Sequence, residues 1–172
     1  MAYIMVDIEA DGPIPGDYSM IAFAAVKVEP GLNHTFYATL RPISEQWIPE
    51  ALHTCGYSRE ETLQFDEPLN AMTAFRDWIA EVSLDEPIFI SDNNGFDWQF
   101  IAWYFHHFLG ENPFGHSSQN LGSLYKGLMK DMFVNFKHLR HTPHTHNPMD
   151  DVTGNAEALL SMREHLGLKI KL

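Results

Sequence analysis

Asp7 and Glu9 stand two residues apart in the run Tyr3-Ile4-Met5-Val6-Asp7-Ile8-Glu9. On a strand, side chains two apart leave the same face, so both carboxylates can converge on one cation. Hard oxygen ligands of this kind suit Mg²⁺ or Mn²⁺. By itself such a pair more often marks polar residues where a strand ends. A third acid, Asp97, closes the run Ser91-Asp92-Asn93-Asn94-Gly95-Phe96-Asp97 and falls in the first turn of an apolar helix. There it can be a ligand, or it can complement the positive end of the helix dipole, with Asp92, Asn93 and Asn94 competing as the cap. The last group is His146-Asn147-Pro148-Met149-Asp150-Asp151, a histidine five residues before an aspartate that opens the final helix. A loop histidine is a residue type that takes a proton from water near neutrality, although a solvated surface histidine is the plainer reading.

The elements that must carry these groups are legible from periodicity. Residues 3–9 are almost continuously apolar, as a buried central strand is. Met20–Val28 and His34–Leu40 read as two further strands, separated by Pro30-Gly31, and the three together suggest an antiparallel meander. Apolar residues at Leu69, Met72, Phe75, Ile79 and Val82 recur every three or four positions and predict a helix over 68–82. Pro87–Ser91 reads as a short buried strand, Phe96–Leu109 as a helix stopped by Gly110, and Leu121–Met132 and Asp151–Leu166 as two more helices. The polar stretch Phe136–Pro148, with four of the ten histidines, reads as a loop. Three strands, a helix, a strand and further helices define an α/β fold with a mixed sheet.

Composition bounds the rest. A chain of 172 residues, 45% of them hydrophobic and 13% aromatic, can close one core, so residues 1–172 are expected to form a single domain. The single cysteine, Cys55, allows no internal disulfide and fits a reducing compartment. With no leader-like or membrane-length segment, the expectation is a cytoplasmic protein with no membrane partner. A formal charge of −12 argues against tight, processive binding of long duplexes. Clustered carboxylates carry part of that charge, and with divalent cations bound the same cluster attracts phosphate.

Taken jointly, in order and spacing, Asp7-Ile8-Glu9, Asn93-Asn94-Gly95-Phe96-Asp97 and His146 through Asp151 resemble the three motifs of the DEDDh exonucleases. The resemblance runs from residue 3 to about residue 166. It implies a ribonuclease-H-like fold and a 3′–5′ exonuclease releasing nucleoside 5′-monophosphates with two divalent cations. Residue by residue, it implies that Asp7 bridges the cations, that Glu9 and Asp151 help hold one, that Asp97 assists through water, and that His146 is the general base. Among the branches of this group, stand-alone bacterial or phage exoribonucleases look closest, so RNA is slightly favoured over DNA, with short or single-stranded 3′ ends as the substrate. Asp151 is preferred to Asp150 for its spacing to His146, and Asp150 is expected to cap the helix. The chain departs from the family in Ala10-Asp11-Gly12, where a hydroxyl residue often follows the Glu, and in Asp92, where His often precedes the Asn.

Candidate substrate contacts are Ala10 and Asn93 beside the motifs, Phe96 and Trp98 as flanks of the terminal base, His53 in the segment Pro49–His53, and Arg140. Trp47 and Tyr57 are further stacking candidates. Arg140 stands with Lys137, His138 and His141 in a local basic group suited to backbone phosphate. The histidine-rich loop also invites a Zn²⁺ site, but it has irregular spacings and no cysteine. The remaining aromatics of 96–109 are read as core. A homodimer is compatible with the apolar content, although no heptad pattern marks an interface. The rival reading from another class is a catalytically inactive module that only binds nucleic acid.

Overall fold

The computed structural model describes residues 1–172. Its sheet has five strands, β1 (Ala2–Ala10), β2 (Met20–Lys27), β3 (Thr35–Thr39), β4 (Pro87–Ser91) and β5 (Ser118–Asn120), in the order β3-β2-β1-β4-β5. The first three form the antiparallel meander expected, and β1, β4 and β5 run parallel. Six helices accompany it: α1 (Pro49–Thr54), α2 (Arg59–Thr62), α3 (Pro68–Val82), α4 (Asn94–Leu109), α5 (Leu121–Met129) and α6 (Pro148–His165). No helix is long and apolar enough to cross a membrane.

Alternation along β1 divides the interior. Ile4, Val6, Ile8 and Ala10 face one core with Phe23, Phe75, Phe89 and Phe105, closed by α3 and α4. Met5 faces the other core with Ala24, Ile90, Tyr125 and Leu159, closed by α5 and α6. Asp7 and Glu9 continue the second face past its apolar part. The period that fills two cores therefore also aims two acids.

Several boundaries differ from the sequence reading. α6 opens at Pro148 rather than Asp151, because Asn147 caps it by accepting from the Met149 backbone at 2.9 Å and Pro148 occupies the first turn. Asp150 is not the cap, and its carboxylate accepts instead from the Thr145 hydroxyl at 2.7 Å. α5 ends at Met129, where Lys130 turns left-handed with φ 54°. Within the expected loop, Lys137–Leu139 forms a single 3₁₀ turn. The three-residue β5 and the four-residue α2 were not foreseen. After β1, fully buried Asp11 accepts from Ser19 N at 2.6 Å and from Arg59 Nη1 at 2.9 Å. This pair ties α2 to the end of β1.

Candidate active site

β1 outruns β4: their last pairing is Met5 with Ile90, so Asp7 and Glu9 stand beyond the carboxyl end of β4. Crevices at the carboxyl ends of parallel strands are where open α/β sheets bind ligands. Just past Glu9 the register with β2 slips between Glu9 and Ala10, and a bulge of this kind bends the strand and re-aims its side chains.

Asp97 arrives from α4. The Asn93 carbonyl accepts from the backbone of Phe96 at 2.8 Å and of Asp97 at 3.0 Å, which starts the helix with no side-chain cap. None of Asp92, Asn93 or Asn94 caps through its side chain, and Asp97 is not spent on the helix end. Its carboxyl group is buried, and Oδ2 has no hydrogen-bond partner.

Asp151 arrives from the first turns of α6. Its Oδ1 accepts from Arg140 Nη2 at 3.0 Å and from Thr145 N at 3.3 Å, and lies 2.8 Å from His144 Nδ1. Oδ2 of Asp151 is buried without a partner. Carboxylate oxygens of Asp7, Glu9 and Asp151 lie within 4.8 Å of one another. Asp97 joins them in lining a cleft of about 250 Å³.

The electrostatics follow from that crowding. Burial, and then the charges of Asp97, Asp151 and Glu9, hold the Asp7 carboxyl well above its ordinary pKa. Burial pushes Glu9 up to about 7, with Asp151 adding and the Cys55 thiol, donating at 3.3 Å, opposing. Burial likewise raises Asp97 to about 8, against hydrogen bonding from Ser91 and the Ile8 backbone. Like charges gathered out of water resist ionising together. The cluster therefore carries more negative charge than the Arg140 guanidinium offsets, and the unpartnered Oδ2 atoms of Asp97 and Asp151 are hard donors suited to a divalent cation.

His146 lines this cleft with its side chain exposed and its backbone left-handed at φ 59°. Its ring meets that of His144 edge-on at 4.4 Å. Asn93 and Phe96 also line the cleft. Trp98 does not, because it packs edge-on against Phe89 at 5.0 Å in the α3-side core. His53 does not line the cleft; it lines a separate groove of about 620 Å³ with Trp47 and Tyr57. Ala10 is buried, and its carbonyl accepts from Cys55 Sγ at 3.6 Å. Arg140 is turned inward onto Asp151 with its side chain 6% exposed, so it is not part of an open basic group with Lys137.

Three polar cleft residues escaped the sequence reading as site residues: Asp92, His144 and Asn155. Asn155 lies one helical turn after Asp151, a spacing that places it on the same face, and its Oδ1 is buried without a partner. That spacing is the signal that could have found it.

No family model matches the chain. Over 131 residues it is 42% identical to the 3′–5′ DNA exonuclease Cap18 of Escherichia coli, covering 73% of this chain and 68% of that relative. Among solved structures, the nuclease domain of 3′hExo, a DEDDh family member bound to rAMP, superposes with a TM-score of 0.72 at 16% identity, covering 99% of this chain and 96% of that one. Cell-death related nuclease 4 gives 0.76 at 19% identity, over 94% and 63%. E. coli exonuclease I in its zinc-bound complex with single-stranded DNA gives 0.72 at 16% identity, over 96% and 42%. The chain thus spans under half the length of exonuclease I. These superpositions carry the fold, a ribonuclease-H-like mixed sheet.

Proposed function

We propose, since this chain belongs to the DEDDh-type 3′–5′ exonucleases, that residues 1–172 act as one exonuclease domain on the 3′ end of single-stranded or short nucleic acid. The observation that carries the reading is the convergence of Asp7, Glu9 and Asp151 within 4.8 Å beside buried Asp97. Two divalent cations, Mg²⁺ or Mn²⁺, held by Asp7, Glu9, Asp97 and Asp151, would acidify the attacking water and neutralise charge on phosphorus and on the leaving 3′ oxygen.

The chain's own residues do the rest. Asp7, whose carboxyl feels the charges of Asp97, Asp151 and Glu9, would be the ligand the cations share, with Glu9 and Asp151 helping to hold one and Asp97 assisting. His146, at the open edge of the cleft, accepts the proton of the attacking water as the water oxygen bonds to phosphorus. The bond between phosphorus and the 3′ oxygen then breaks, the 3′ oxygen takes a proton from solvent, and a nucleoside 5′-monophosphate leaves. Phe96 and Asn93 flank the terminal nucleotide. Arg140 holds Asp151 in place rather than meeting substrate.

Of the two polymers, DNA is favoured by the name of the relative at 42% identity, whereas the resemblance to stand-alone exoribonucleases had slightly favoured RNA. The test uses 5′-labelled single-stranded RNA and DNA of one sequence, incubated with Mn²⁺, Mg²⁺ or EDTA and resolved on a gel. A metal-dependent ladder shortening from the 3′ end supports the reading, and the faster polymer identifies the substrate. No cleavage of either would favour a binding module.

A further inference from the structure

We propose that α5 and the 3₁₀ turn Lys137–Leu139 form a track for the single strand upstream of the cleaved 3′ end, with Lys126, Lys130 and Lys137 on its phosphates and Phe133 stacked on a base. The track rests on the nuclease reading above and extends it to a surface outside the cleft.

The first observation is charge. The chain carries a net −12, yet between Glu111 and Asp150 the only acid is Asp131, and four of the eleven Lys and Arg residues fall there. Arg140 is consumed by Asp151. Lys126, Lys130 and Lys137 enter no ion pair, whereas Lys27, Arg41, Arg59 and Arg76 each do; the other cations without one, Arg163, Lys169 and Lys171, lie at the C-terminal end beside Glu164 rather than in an acid-poor stretch. Unpaired cations concentrated on one part of an acidic protein are what an electrostatic footprint for phosphate looks like.

The second observation is Phe133, which is 98% exposed, beside Met132 at 71%. Its neighbours Val134 and Phe136 pack into the α6-side core, so the segment had apolar contact within reach. The turn that holds Phe133 outward is built: Lys130 is left-handed, Asp131 N donates to the Lys126 carbonyl at 3.1 Å, and Phe133 N donates to Asp131 Oδ1 at 2.8 Å. Cations along a path with an outward aromatic are the combination that binds single strands without reading sequence.

The third is continuity. Tyr125 of α5 meets His138 of the 3₁₀ turn with ring centroids 5.9 Å apart, so the two pieces adjoin. Arg140, the residue directly after the 3₁₀ turn, reaches Asp151 at 3.0 Å and lines the cleft, so the turn leads into it. The track therefore reaches the edge of the acid cluster.

The experiment measures anisotropy of 5′-fluorescein-labelled oligothymidylates in Ca²⁺ buffer across a salt series, a long strand against a dinucleotide. It compares the whole chain with Lys130→Gln/Lys137→Gln and with Phe133→Ser, each checked for an unaltered melt. The double variant is expected to lower the salt slope for the long strand by about 0.7 per lysine. Phe133→Ser is expected to weaken that strand about five-fold or more, and the dinucleotide far less. Variants that bind the long strand as the parent does, or that lose the dinucleotide equally, overturn the track, as does a parent chain that binds no strand. A parent that binds strands but never shortens them sinks the nuclease reading and leaves the track standing.

Discussion

Arg140 Nη2 lies 3.0 Å from Asp151 Oδ1, and neither side chain is more than 6% exposed. In the acid cluster this guanidinium is the one fixed positive charge, and the Thr142 carbonyl also accepts from its Nε at 3.3 Å. Removing one member of a buried pair strands the other, at a cost of about 3 kcal/mol or more. Arg140→Ala is therefore expected to lower the melting temperature of the metal-free chain, and Mn²⁺ to restore most of the loss by supplying the missing charge. Arg140→Lys, which keeps the charge but not the planar fork, should fall between. Equal melting of Arg140→Ala and parent without metal would remove Arg140 from this role.

Gly154 gives a geometric test of the same pair. A Cβ there would stand 2.4 Å from Arg140 Nε and 2.6 Å from the Thr142 carbonyl. Inside a helix, Gly to Ala ordinarily stabilises by up to about 1 kcal/mol. Here the opposite sign is expected, with Gly154→Ala melting below the parent and cleaving more slowly. A higher melting temperature with full activity would mean that Arg140 has room to move.

His146 and His144 face one cleft, and only one is proposed as the base. His146→Ala should lower kcat by about 10²- to 10⁴-fold, the range for a lost general base. Asp7→Ala should abolish cleavage. His144, which contacts Asp151 Oδ1 at 2.8 Å, is expected to act by positioning, so His144→Ala should raise the Mn²⁺ needed for half-maximal rate more than it lowers kcat. If the two histidine variants exchange these phenotypes, the assignment reverses.

Glu9 and Asp97, held up to about 7 and about 8, set the pH dependence. Unfolded carboxyls titrate near 4, so between roughly pH 4 and pH 8 the native chain binds protons that the unfolded chain has released. Stability from these groups is complete below about pH 4 and is lost as pH rises through 7 to 8. The metal-free chain should thus melt lower at about pH 8 than at about pH 5. Mn²⁺ should flatten that slope, because the cation replaces the protons, and its affinity should rise across the same window. A metal-free melting temperature that stays level across the window would contradict the crowding of the acids.

How much was legible differs from residue to residue. The strand period gave the shared face of Asp7 and Glu9, and the three- and four-residue spacing placed α3 at its observed ends, because both signals repeat. β5 spans Ser118–Asn120 and α2 only Arg59–Thr62. Neither is long enough to show a period; β5 is held by its pairing with β4, whereas α2 opens on a local capping box, Ser58 with Glu61, that was readable in the sequence. Asn147 followed by Pro148 is a readable helix start, a capping amide before a proline in the first turn. That Trp98 turns to Phe89 and Arg140 to Asp151 depends on which neighbours the fold brings near, which one sequence does not state.

The left-handed backbone of His146 separates the shape of its loop from the chemistry of its side chain. Only glycine, and after it asparagine, aspartate or histidine, adopts that conformation at small cost. A drifting lineage could therefore exchange the imidazole for glycine or asparagine with the loop intact, leaving a folded, silent relative after a single substitution. Valine or isoleucine at the same place would disturb the loop as well as the reaction, so loss of activity at this position has a smooth route and a costly one.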